Sequence, residues 1–571
     1  MKDICILVGG KAGEGVRASG EVIGRALNKA GYYVYIRDDY PSLIEGGHNF
    51  SQVHASVEET FSQRKEIDLI GAFDERTVFE HRDEFKSDSI LVVNSNKVEV
   101  DSELREEVKD VVGLPISDWR KEVGGPEIIE NTGFAAAITS LISLDPDYLN
   151  EVFRQEYGDK AGINISLAEK TIGECKDRCK ELFELDEVDE GGKALLSGNQ
   201  SILLGAVSAG LDFYVAYPMT PATSILHFAA QNQEELGLDV MQPENEIAVI
   251  NIALGASFAG KKSMVATSGG GYDLMQETIS LAGMSETPIL LIEAQRPGPS
   301  TGVPTYTSQA DLKYVLEAGH GEFPHIVIAP GDVRQAFYLT GKALNHAWRY
   351  QTPVTVLVDK HLSESLKNTE IDPDKIEETE PKKLPKEQNN RLEHNKETYN
   401  RYFLTEDGVS PLKFPGNDVI VKNSSYEHLE NGLTTEKPIE VEKMQEKRLK
   451  KTQKIKKQLR NEQRVWSKET GSDTSVITWG STKGAVIEAT KEIEDPISVI
   501  QPLYMWPFPI KELKNKLSNK KTVISVEANS TAQLTSLIKE KTEINIDNTI
   551  LKYNSRPFYP KELAKQIMEV I

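Results

Sequence analysis

The sequence predicts a multidomain α/β protein, built from open and mostly parallel sheets. Three observations support this fold class. Short apolar segments alternate with helical patterns along most of the chain, which is typical of βαβ units. Several of these segments end in glycine-rich turns, where a strand passes into a helix. The length of 571 residues exceeds what one hydrophobic core supports, so we expect about three or four domains.

The N-terminal domain is expected to cover residues 1–186 and to be Rossmann-like. Its first strand passes through the glycine loop Gly9–Gly15 into a helix of small and apolar residues, and a second strand follows at the spacing of a βαβ unit. We predict a parallel sheet with strands at Ile4–Val8, Tyr32–Ile36, Leu69–Ala72 and Ser89–Val93.

A second α/β domain is expected over residues 193–368, after the polar joint Glu187–Gly192. Helical patterns separate its apolar segments, which again indicates a parallel sheet. The predicted strands are Phe213–Ala216, Ser263–Thr267, Pro288–Glu293, His325–Ala329 and Pro353–Val358.

Residues 369–470 differ in character and predict a linker followed by a basic helical insert. The segment begins with a stretch rich in Glu, Lys and Pro. Its basic part, Glu442–Gln463, has few apolar residues, so we expect a solvated amphipathic helix, with a docking arm for a partner as the alternative. A smaller α/β domain is expected at residues 471–571, with strands Ser475–Trp479 and Thr522–Glu527.

Charge and hydropathy exclude several classes of partner. The formal net charge is −22, and an acidic surface repels phosphate backbones, so nucleic acid is not expected to bind. Every apolar run is shorter than the roughly 18 residues of a membrane span. The apolar stretch Cys5–Val8 is also too short for a signal peptide, and we therefore expect a cytoplasmic location.

The three cysteines, Cys5, Cys175 and Cys179, are fewer than the about four thiolates that hold an iron–sulfur cluster. Cys175 and Cys179 are spaced to share a helix face. Two thiols in a reducing cytosol are a better interpretation than a metal-site fragment or a disulfide. No metal site is therefore predicted in this chain.

Two loops of the N-terminal domain are candidates for ligand binding. Gly9–Gly15 could bring backbone N–H groups toward an anion, although tight turns need glycine in any case. The segment from Asp39 to Asn49 is more specific, because polar and flexible residues lie together at a strand end. Its candidate residues are Gly46, Gly47, His48 and Asn49.

The second domain carries more candidates. The loop Tyr217–Thr223 follows a strand, two prolines stiffen it, and the hydroxyl groups of Tyr217 and Thr220 project from it. Glu246 then begins a helix of small residues. Its carboxylate could be catalytic, but the helix dipole favours acids at helix N-termini, and spacing alone favours that structural explanation.

Two further loops follow strands of the same domain. Gly269 and Gly271 belong to three consecutive glycines, which indicate close backbone approach to a ligand or another subunit. Arg296 lies in a loop with the hydroxyl groups of Thr301 and Thr305. An arginine held there suits a carboxylate, which it can bind with two hydrogen bonds, whereas a salt bridge that fixes the loop is the alternative.

Taken in order, these motifs resemble the alpha subunit of 2-oxoacid:acceptor (ferredoxin) oxidoreductases, in the form with the gamma domain fused ahead of it. The resemblance spans nearly the whole chain. The matching segments are Tyr217–Thr223, Glu244–Gly260, Thr267–Met275, Met284–Pro288, Gln295–Thr305, Thr405–Pro411, Trp479–Gly484, Trp506–Pro509 and Arg556–Phe558.

Three positions depart from the family pattern. Gly270 stands where the family usually has proline, and Tyr306 stands where a basic residue is expected. Glu45 replaces the arginine or lysine that precedes Gly-Gly-His-Asn, and an acid there speaks against anion binding by this loop, including the phosphates of coenzyme A.

The resemblance implies that the second domain binds the pyrimidine ring of thiamine diphosphate and that the C-terminal domain is like that of transketolase. Glu246 would hydrogen-bond to the aminopyrimidine and favour its imino tautomer, with Gly269 and Gly271 also at the cofactor. The gamma domain would cover coenzyme A, through Gly46, Gly47, His48 and Asn49. The 2-oxoacid would be bound by Arg296, Thr220, Thr301, Thr305 and Tyr217.

The implied reaction is the coenzyme A-dependent oxidative decarboxylation of a 2-oxoacid, such as pyruvate or 2-oxoglutarate, to acyl-CoA, carbon dioxide and reduced ferredoxin. The sequence contains no Gly-Asp-Gly…Asn segment and no set of cluster cysteines. Magnesium, the diphosphate site and a [4Fe–4S] cluster are therefore expected on a beta subunit, in a heterodimer or a dimer of heterodimers.

Three other functions are possible on the sequence alone. A transketolase-like or lipoamide-linked decarboxylase component would share the thiamine fold, but the Gln295–Thr305 loop and the leading gamma domain argue against it. A non-catalytic assembly subunit would not need both Glu246 and Arg296. NAD binding at Gly9–Gly15 lacks a clear fingerprint.

Overall fold

Three β-sheets of eight, seven and five strands organise the chain. They are defined in a computed structural model that describes residues 1–41, 47–178, 183–186, 188, 191–384, 399–416, 419–546 and 548–571. The strands are β1 (Asp3–Lys11), β2 (Tyr33–Asp39), β3 (His48–Ser56), β4 (Ile67–Ala72), β5 (Phe85–Asn94), β6 (Asp110–Leu114), β7 (Ala194–Ser197), β8 (Phe213–Val215), β9 (Asp239–Met241), β10 (Ser263–Thr267), β11 (Ile289–Gln295), β12 (Ile326–Ile328), β13 (Pro353–Asp359), β14 (Leu366–Thr369), β15 (Val465–Lys468), β16 (Thr474–Thr478), β17 (Ser498–Pro502), β18 (Tyr504–Trp506), β19 (Thr522–Glu527) and β20 (Asn548–Leu551).

Helices cover the faces of these sheets, as expected for an α/β protein. The α-helices are α1 (Val16–Lys29), α2 (Glu75–His81), α3 (Ser102–Glu107), α4 (Ile116–Glu122), α5 (Glu130–Leu141), α6 (Pro146–Tyr157), α7 (Ala161–Arg178), α8 (Gly198–Ser208), α9 (Thr223–Gln231), α10 (Gln233–Leu236), α11 (Glu246–Phe258), α12 (Gly269–Leu274), α13 (Gln276–Met284), α14 (Leu312–Leu316), α15 (Val333–Tyr350), α16 (Lys360–Glu364), α17 (Pro438–Gln458), α18 (Thr482–Lys491), α19 (Ile510–Leu517), α20 (Gln533–Thr542) and α21 (Pro560–Met568). Within the described residues, none of them has the length and hydropathy needed to cross a membrane.

The first sheet has the strand order β6-β5-β4-β1-β3-β2-β14-β7. The predicted β1–α1–β2 unit is confirmed. The expectation of a wholly parallel sheet is wrong, because β3 runs antiparallel to both β1 and β2. Two of the eight strands, β7 and β14, come from beyond residue 193, so the sheet is completed by the chain that follows the N-terminal domain.

The second sheet has the order β18-β12-β13-β11-β10-β8-β9. The strands predicted between residues 213 and 359 are all present, and they pair in parallel. Both faces of β11 are buried, with Leu290 and Ile292 in one core and Ile289 and Leu291 in another. A parallel sheet that is covered on both faces requires such continuous apolar strands.

The third sheet has the order β15-β17-β16-β19-β20, and the predicted strands β16 and β19 lie at its centre. It is smaller than the others, as expected for the C-terminal domain. One of its neighbouring segments, β18, pairs with β12 of the second sheet. The predicted domain limits stay predictions. In the structure, β7 and β14 join the first sheet and β18 joins the second, so strands of one predicted domain complete the sheet of another.

The helix expected in Glu442–Gln463 is present as α17, but burial of lysines on its inner face means that it is less solvated than expected. Its inner face is buried against the second sheet's domain. Lys447 and Lys451 are almost fully buried, and each donates a hydrogen bond to the buried carboxylate of Glu286 with N···O distances of 2.5 Å. The helix is therefore part of the folded domain on this face.

The described cysteines are buried and lie in the N-terminal domain. Cys5 is on β1 and Cys175 on α7, whereas Cys179 lies outside the described residues. Burial raises the pKa of the Cys5 thiol to about 12. Cys5 therefore stays protonated and is a poor ligand for a metal.

Candidate active site

Glu246 is the first residue of α11, as the sequence predicts for a helix start. Asn245 caps this helix, since its side-chain oxygen accepts a hydrogen bond from the Ala248 N–H at 2.9 Å. The Glu246 side chain is buried, with 4% of its surface exposed. Its Oε1 atom has no hydrogen-bond partner among the described residues. Buried carboxylate oxygens are normally satisfied, so this atom is available to a donor on a ligand.

The glycines after β10 lie directly against Glu246. A Cβ atom at Gly271 would come within 2.7 Å of Glu246 Oε1 and within 2.0 Å of the Thr267 hydroxyl. A Cβ at Gly269 would come within 3.0 Å of Asp311 Oδ2. Only glycine therefore keeps the space beside these carboxyl groups open. A Cβ atom at Gly270 would meet nothing within 4 Å, so this position, unlike Gly269 and Gly271, has space for a side chain.

Arg296 follows β11 directly and reaches across to the loop after β8. Its Nη1 donates a hydrogen bond to the backbone oxygen of Thr220 at 2.9 Å. In the described part of the chain no carboxylate forms an ion pair with it. The side chain is half-buried, and burial lowers its pKa, although a guanidinium keeps its charge in proteins. Arg296 is thus a positioned cation without an acidic partner.

Thr220 lies against Arg296, whereas the other predicted substrate residues form no hydrogen bond with Arg296 in the described structure. Thr305 is buried and Thr301 is exposed. Tyr217 is 38% exposed. Their roles in substrate binding stay predictions.

A cavity of about 390 Å³ lies in the N-terminal domain, between the Gly9–Gly15 loop and the β2–β3 connection. Gly47 and Asn49 are on its wall, as the sequence predicts. Gly46, like Glu45, lies outside the described residues. Both loops that were singled out as ligand-binding therefore meet at one cavity.

Among the described residues of the cavity wall the charges are balanced, since Lys11 and Arg17 lie with Asp38 and Asp39. Arg17 Nε lies 3.0 Å from Asp38 Oδ2. Burial raises the pKa of Asp38 to about 6, which the charge of Arg17 opposes. The described wall therefore has no excess of positive charge, and it suits an uncharged group better than a phosphate group.

His48 is not on the wall of this cavity. Its Nε2 lies 2.9 Å from Nε2 of His81, whose Nδ1 is 2.8 Å from Glu84 Oε2. Burial lowers the pKa of His48, with the neighbouring His81 as a further cause. A contact between His48 and a ligand in this cavity stays a prediction.

Sequence reasoning missed Glu293, which lies on β11 opposite Thr267. It is fully buried, and neither of its carboxyl oxygens has a hydrogen-bond partner among the described residues. Burial, together with the nearby Asp311 and Asp359, raises its pKa well above the usual range. The signal in the sequence was a single acid inside an otherwise apolar strand.

A polar bridge between the three sheets was also missed. The Arg556 guanidinium lies 3.5 Å from the centre of the Tyr306 ring. Arg37 donates to Asp39 Oδ2 at 2.6 Å and to the Tyr559 hydroxyl at 3.2 Å. Tyr306 thus stands next to an arginine from the C-terminal domain, at the position where the family pattern has a basic residue.

Comparisons with known proteins cover both parts of the site. A family model described as "Pyruvate flavodoxin/ferredoxin oxidoreductase, thiamine diP-bdg" matches residues 204–465. A second, "Pyruvate ferredoxin/flavodoxin oxidoreductase", matches residues 5–173. The first includes Glu246 and Arg296, and the second includes the cavity of the N-terminal domain.

Relatives match over nearly the full length. The 2-oxoacid:ferredoxin oxidoreductase alpha subunit of Saccharolobus solfataricus is 34% identical, covering 99% of this chain and 97% of the relative. The 2-oxoglutarate synthase subunit KorA of Methanocaldococcus jannaschii is 31% identical over 58% of this chain and 87% of its own. The structure of 2-oxoglutarate:ferredoxin oxidoreductase from Magnetococcus marinus, with 2-oxoglutarate, coenzyme A and succinyl-CoA bound, superposes with a TM-score of 0.89 at 32% identity, covering 100% and 99% of the two chains.

Proposed function

This chain belongs to the family of 2-oxoacid:ferredoxin oxidoreductase alpha subunits, and we propose that Glu246 binds thiamine diphosphate and Arg296 binds the carboxylate of the 2-oxoacid. The family establishes the chain as a subunit of such an enzyme. The observation that carries the residue roles is the buried, unpartnered Oε1 of Glu246 beside the space that Gly271 leaves open.

The residues present fit the pyrimidine ring of thiamine diphosphate. Glu246 offers a buried acceptor to a ring N–H, and a charged acceptor makes the stronger hydrogen bond. Gly269 and Gly271 leave room for a flat group to approach the backbone. When bound, the cofactor supplies the electron sink for decarboxylation. Glu246 then holds the ring and favours the protonation state in which that ring can accept a proton.

Arg296 is suited to the substrate carboxylate because, within the described residues, only one of its N–H donors has a hydrogen-bond partner. The hydrogen bond to Thr220 fixes the guanidinium, and its other N–H groups remain for two parallel bonds to a carboxylate. Half-burial reduces screening by solvent and so strengthens the attraction.

Coenzyme A is proposed to bind in the cavity of the N-terminal domain. The cavity volume, about 390 Å³, lies within the range of small-molecule sites. Its balanced wall charges fit the uncharged pantetheine arm. Gly47 and Asn49 would contact this arm, whereas the phosphates would lie outside the wall residues.

A partner subunit and ferredoxin as acceptor follow from membership of the family. We propose that the partner is a beta subunit that supplies Mg²⁺, the diphosphate site and a [4Fe–4S] cluster. Three cysteines, of which Cys5 is buried on β1, support this division of the site. A heterodimer or a dimer of heterodimers would be the smallest active unit.

The test is reconstitution of the chain with its partner subunit, followed by assays with a panel of 2-oxoacids. Acceptor reduction that requires thiamine diphosphate, coenzyme A and a 2-oxoacid is expected, with pyruvate and 2-oxoglutarate as the first substrates. A complex that contains both subunits and the cluster but reduces no acceptor with any 2-oxoacid would contradict the proposed function.

A further inference from the structure

A second cavity, of about 550 Å³, lies where the three sheets meet, away from both predicted ligand sites. We call it the lysine cavity. Its wall is formed by the loop after β3, by α15, β14 and β15, and by the start of α18. The charged residues on the wall are Arg334, Lys342, Lys367, Lys375, Lys483, Glu59 and Asp332.

Cations therefore outnumber acids by five to two on this wall, in a chain with a net charge of −22. Each wall acid is already engaged by one lysine. Lys367 Nζ lies 2.7 Å from Glu59 Oε1, and Lys483 pairs with Asp332. Arg334 has no acidic partner among the described residues. Arg334 is therefore the wall cation that is left without a carboxylate in the described structure.

The remaining two lysines are only loosely neutralised. Lys342 Nζ lies 3.8 Å from Glu462 Oε2, and Lys375 Nζ lies 3.3 Å from Asp372 Oδ2. Both of these lysines are exposed, where an ion pair contributes little. An anion of higher charge could replace either carboxylate.

The two innermost lysines are buried and held in place. Lys483 is 2% exposed and lies over the Trp466 ring at 4.2 Å, whereas Lys367 is 4% exposed and lies over the Phe61 ring at 4.7 Å. Burial lowers the pKa of Lys483, the charge of Asp332 opposes this shift, and the charge of Lys367 adds to it. These ammonium groups are already ordered. Binding of an anion would therefore cost the two lysine side chains little additional conformational entropy.

We propose that the lysine cavity binds a ligand with linked phosphate groups, such as a nucleoside triphosphate or inorganic pyrophosphate. Several compact cations around one cavity match several closely spaced negative charges. Lysine binds phosphate as a point charge, whereas carboxylate recognition favours the planar fork of arginine. The volume is in the range of small-molecule sites, and a ligand there would contact strands of the first and third sheets together with α15.

The test is calorimetric titration of the complex of this chain with its partner, saturated with thiamine diphosphate, Mg²⁺ and coenzyme A so that other phosphate sites are filled. ATP, adenosine, pyrophosphate and citrate are the probes. Saturable binding of ATP and pyrophosphate is expected. Adenosine should not bind, which would show that the phosphate groups are recognised and the base is not.

The variant Arg334→Gln tests the site, because Arg334 is exposed and its loss should leave the fold intact. The expected result is an affinity for pyrophosphate about tenfold lower, since one charged contact contributes on the order of a factor of ten. Lys511→Gln is the matched control, since Lys511 is an exposed cation on α19. No saturable binding of either phosphate, equal losses in the two variants, or tighter binding of citrate would each overturn the proposal.

Discussion

Two explanations of Glu246 are open from its position at a helix start, and its environment supports the proposal that it binds a ligand. An acid that only stabilises the helix dipole gains most from being in the first turn and does not need to be buried. Glu246 is buried and leaves one carboxylate oxygen without a partner. Such a group destabilises the fold unless a ligand completes it. Glu277 shows the other case, an exposed acid in the first turn of α13.

We expect Glu246→Gln to fold and to assemble with the partner, but to lower turnover by about 10²–10⁴-fold. Glutamine can still form a hydrogen bond to the cofactor ring, but it lacks the charge that favours the required protonation state. Steady-state kinetics of the reconstituted complex measures the effect. Glu277→Gln is the matched control and should keep normal turnover. Similar rates for both variants would support the helix-dipole explanation instead.

We expect Arg296→Ala to lower kcat/KM for the 2-oxoacid by roughly 10²-fold or more, since a charged hydrogen bond contributes about 1.5–3 kcal/mol. Arg296→Lys should recover only part of this loss, because lysine keeps the charge without the planar fork. Kinetics and thermal melting of both variants are the measurements. Variants that melt early but keep a normal KM would identify Arg296 as a structural anchor of the Thr220 loop.

Local sequence signals located strands well where an apolar run has clear limits. The bounds of β10 and β19 agree with the predicted ones. The strand β3 was not predicted, because Ser51, Gln52 and His54 on it are polar although they are buried. Their burial depends on neighbours that are distant along the chain, such as Arg64, whose backbone oxygen accepts a hydrogen bond from Gln52. Alternation of apolar and polar residues cannot indicate such a strand.

The same limit explains why α17 was expected to be solvated. Its lysines have a polar appearance in the sequence, and the acid that makes their burial possible, Glu286, lies more than 150 residues earlier. Burial alone would raise the pKa of Glu286, but Lys447, Lys451 and Arg401 outweigh it and hold the pKa well below its usual range. The positions of Gly269 and Glu246, in contrast, could be predicted from the sequence, because Gly269 comes shortly after a strand and Glu246 begins a helix.

At this element, we expect Glu286→Gln to lower the free energy of unfolding by about 3–5 kcal/mol, because two buried lysines would lose their counter-ion. Lys451→Met is the matched variant, since Lys447 still pairs with Glu286, and it should cost less, about 1.5–3 kcal/mol, for the lost hydrogen bonds to Glu286 and to the backbone oxygen of Gln351. Denaturant unfolding compares the two variants with the original chain. Equal losses would show that the helix is held by packing and not by this carboxylate.

The stability of the original chain should also depend on pH at this element. The folded-state pKa of Glu286 lies below its ordinary value of 4.5, so the folded state binds fewer protons than the unfolded state at acidic pH. Its contribution is complete above about pH 4.5 and is lost as the pH falls below that value. Glu286→Gln should lack this part of the acid dependence.

For the whole molecule, contacts between parts of the chain that belong to different sheets lie beside the two proposed ligand sites. Arg556 of the C-terminal part lies on Tyr306 of the second domain, and Asp39 of the N-terminal domain is close enough to affect the pKa of Tyr306. This bridge lies between the proposed substrate loop and the proposed coenzyme A cavity.

We expect the whole chain, expressed without its partner, to be colourless and inactive with every 2-oxoacid. The chain has three cysteines, fewer than the about four thiolates of a typical cluster. The thiol of Cys5 is buried within β1 and has a raised pKa, so it is unsuited to hold iron. Its sequence also has no Gly-Asp-Gly segment for magnesium and diphosphate. Iron analysis and absorbance of the purified chain, before and after co-expression with the partner, are the measurements. A brown chain that contains iron without its partner would contradict the assignment of the cluster to the beta subunit.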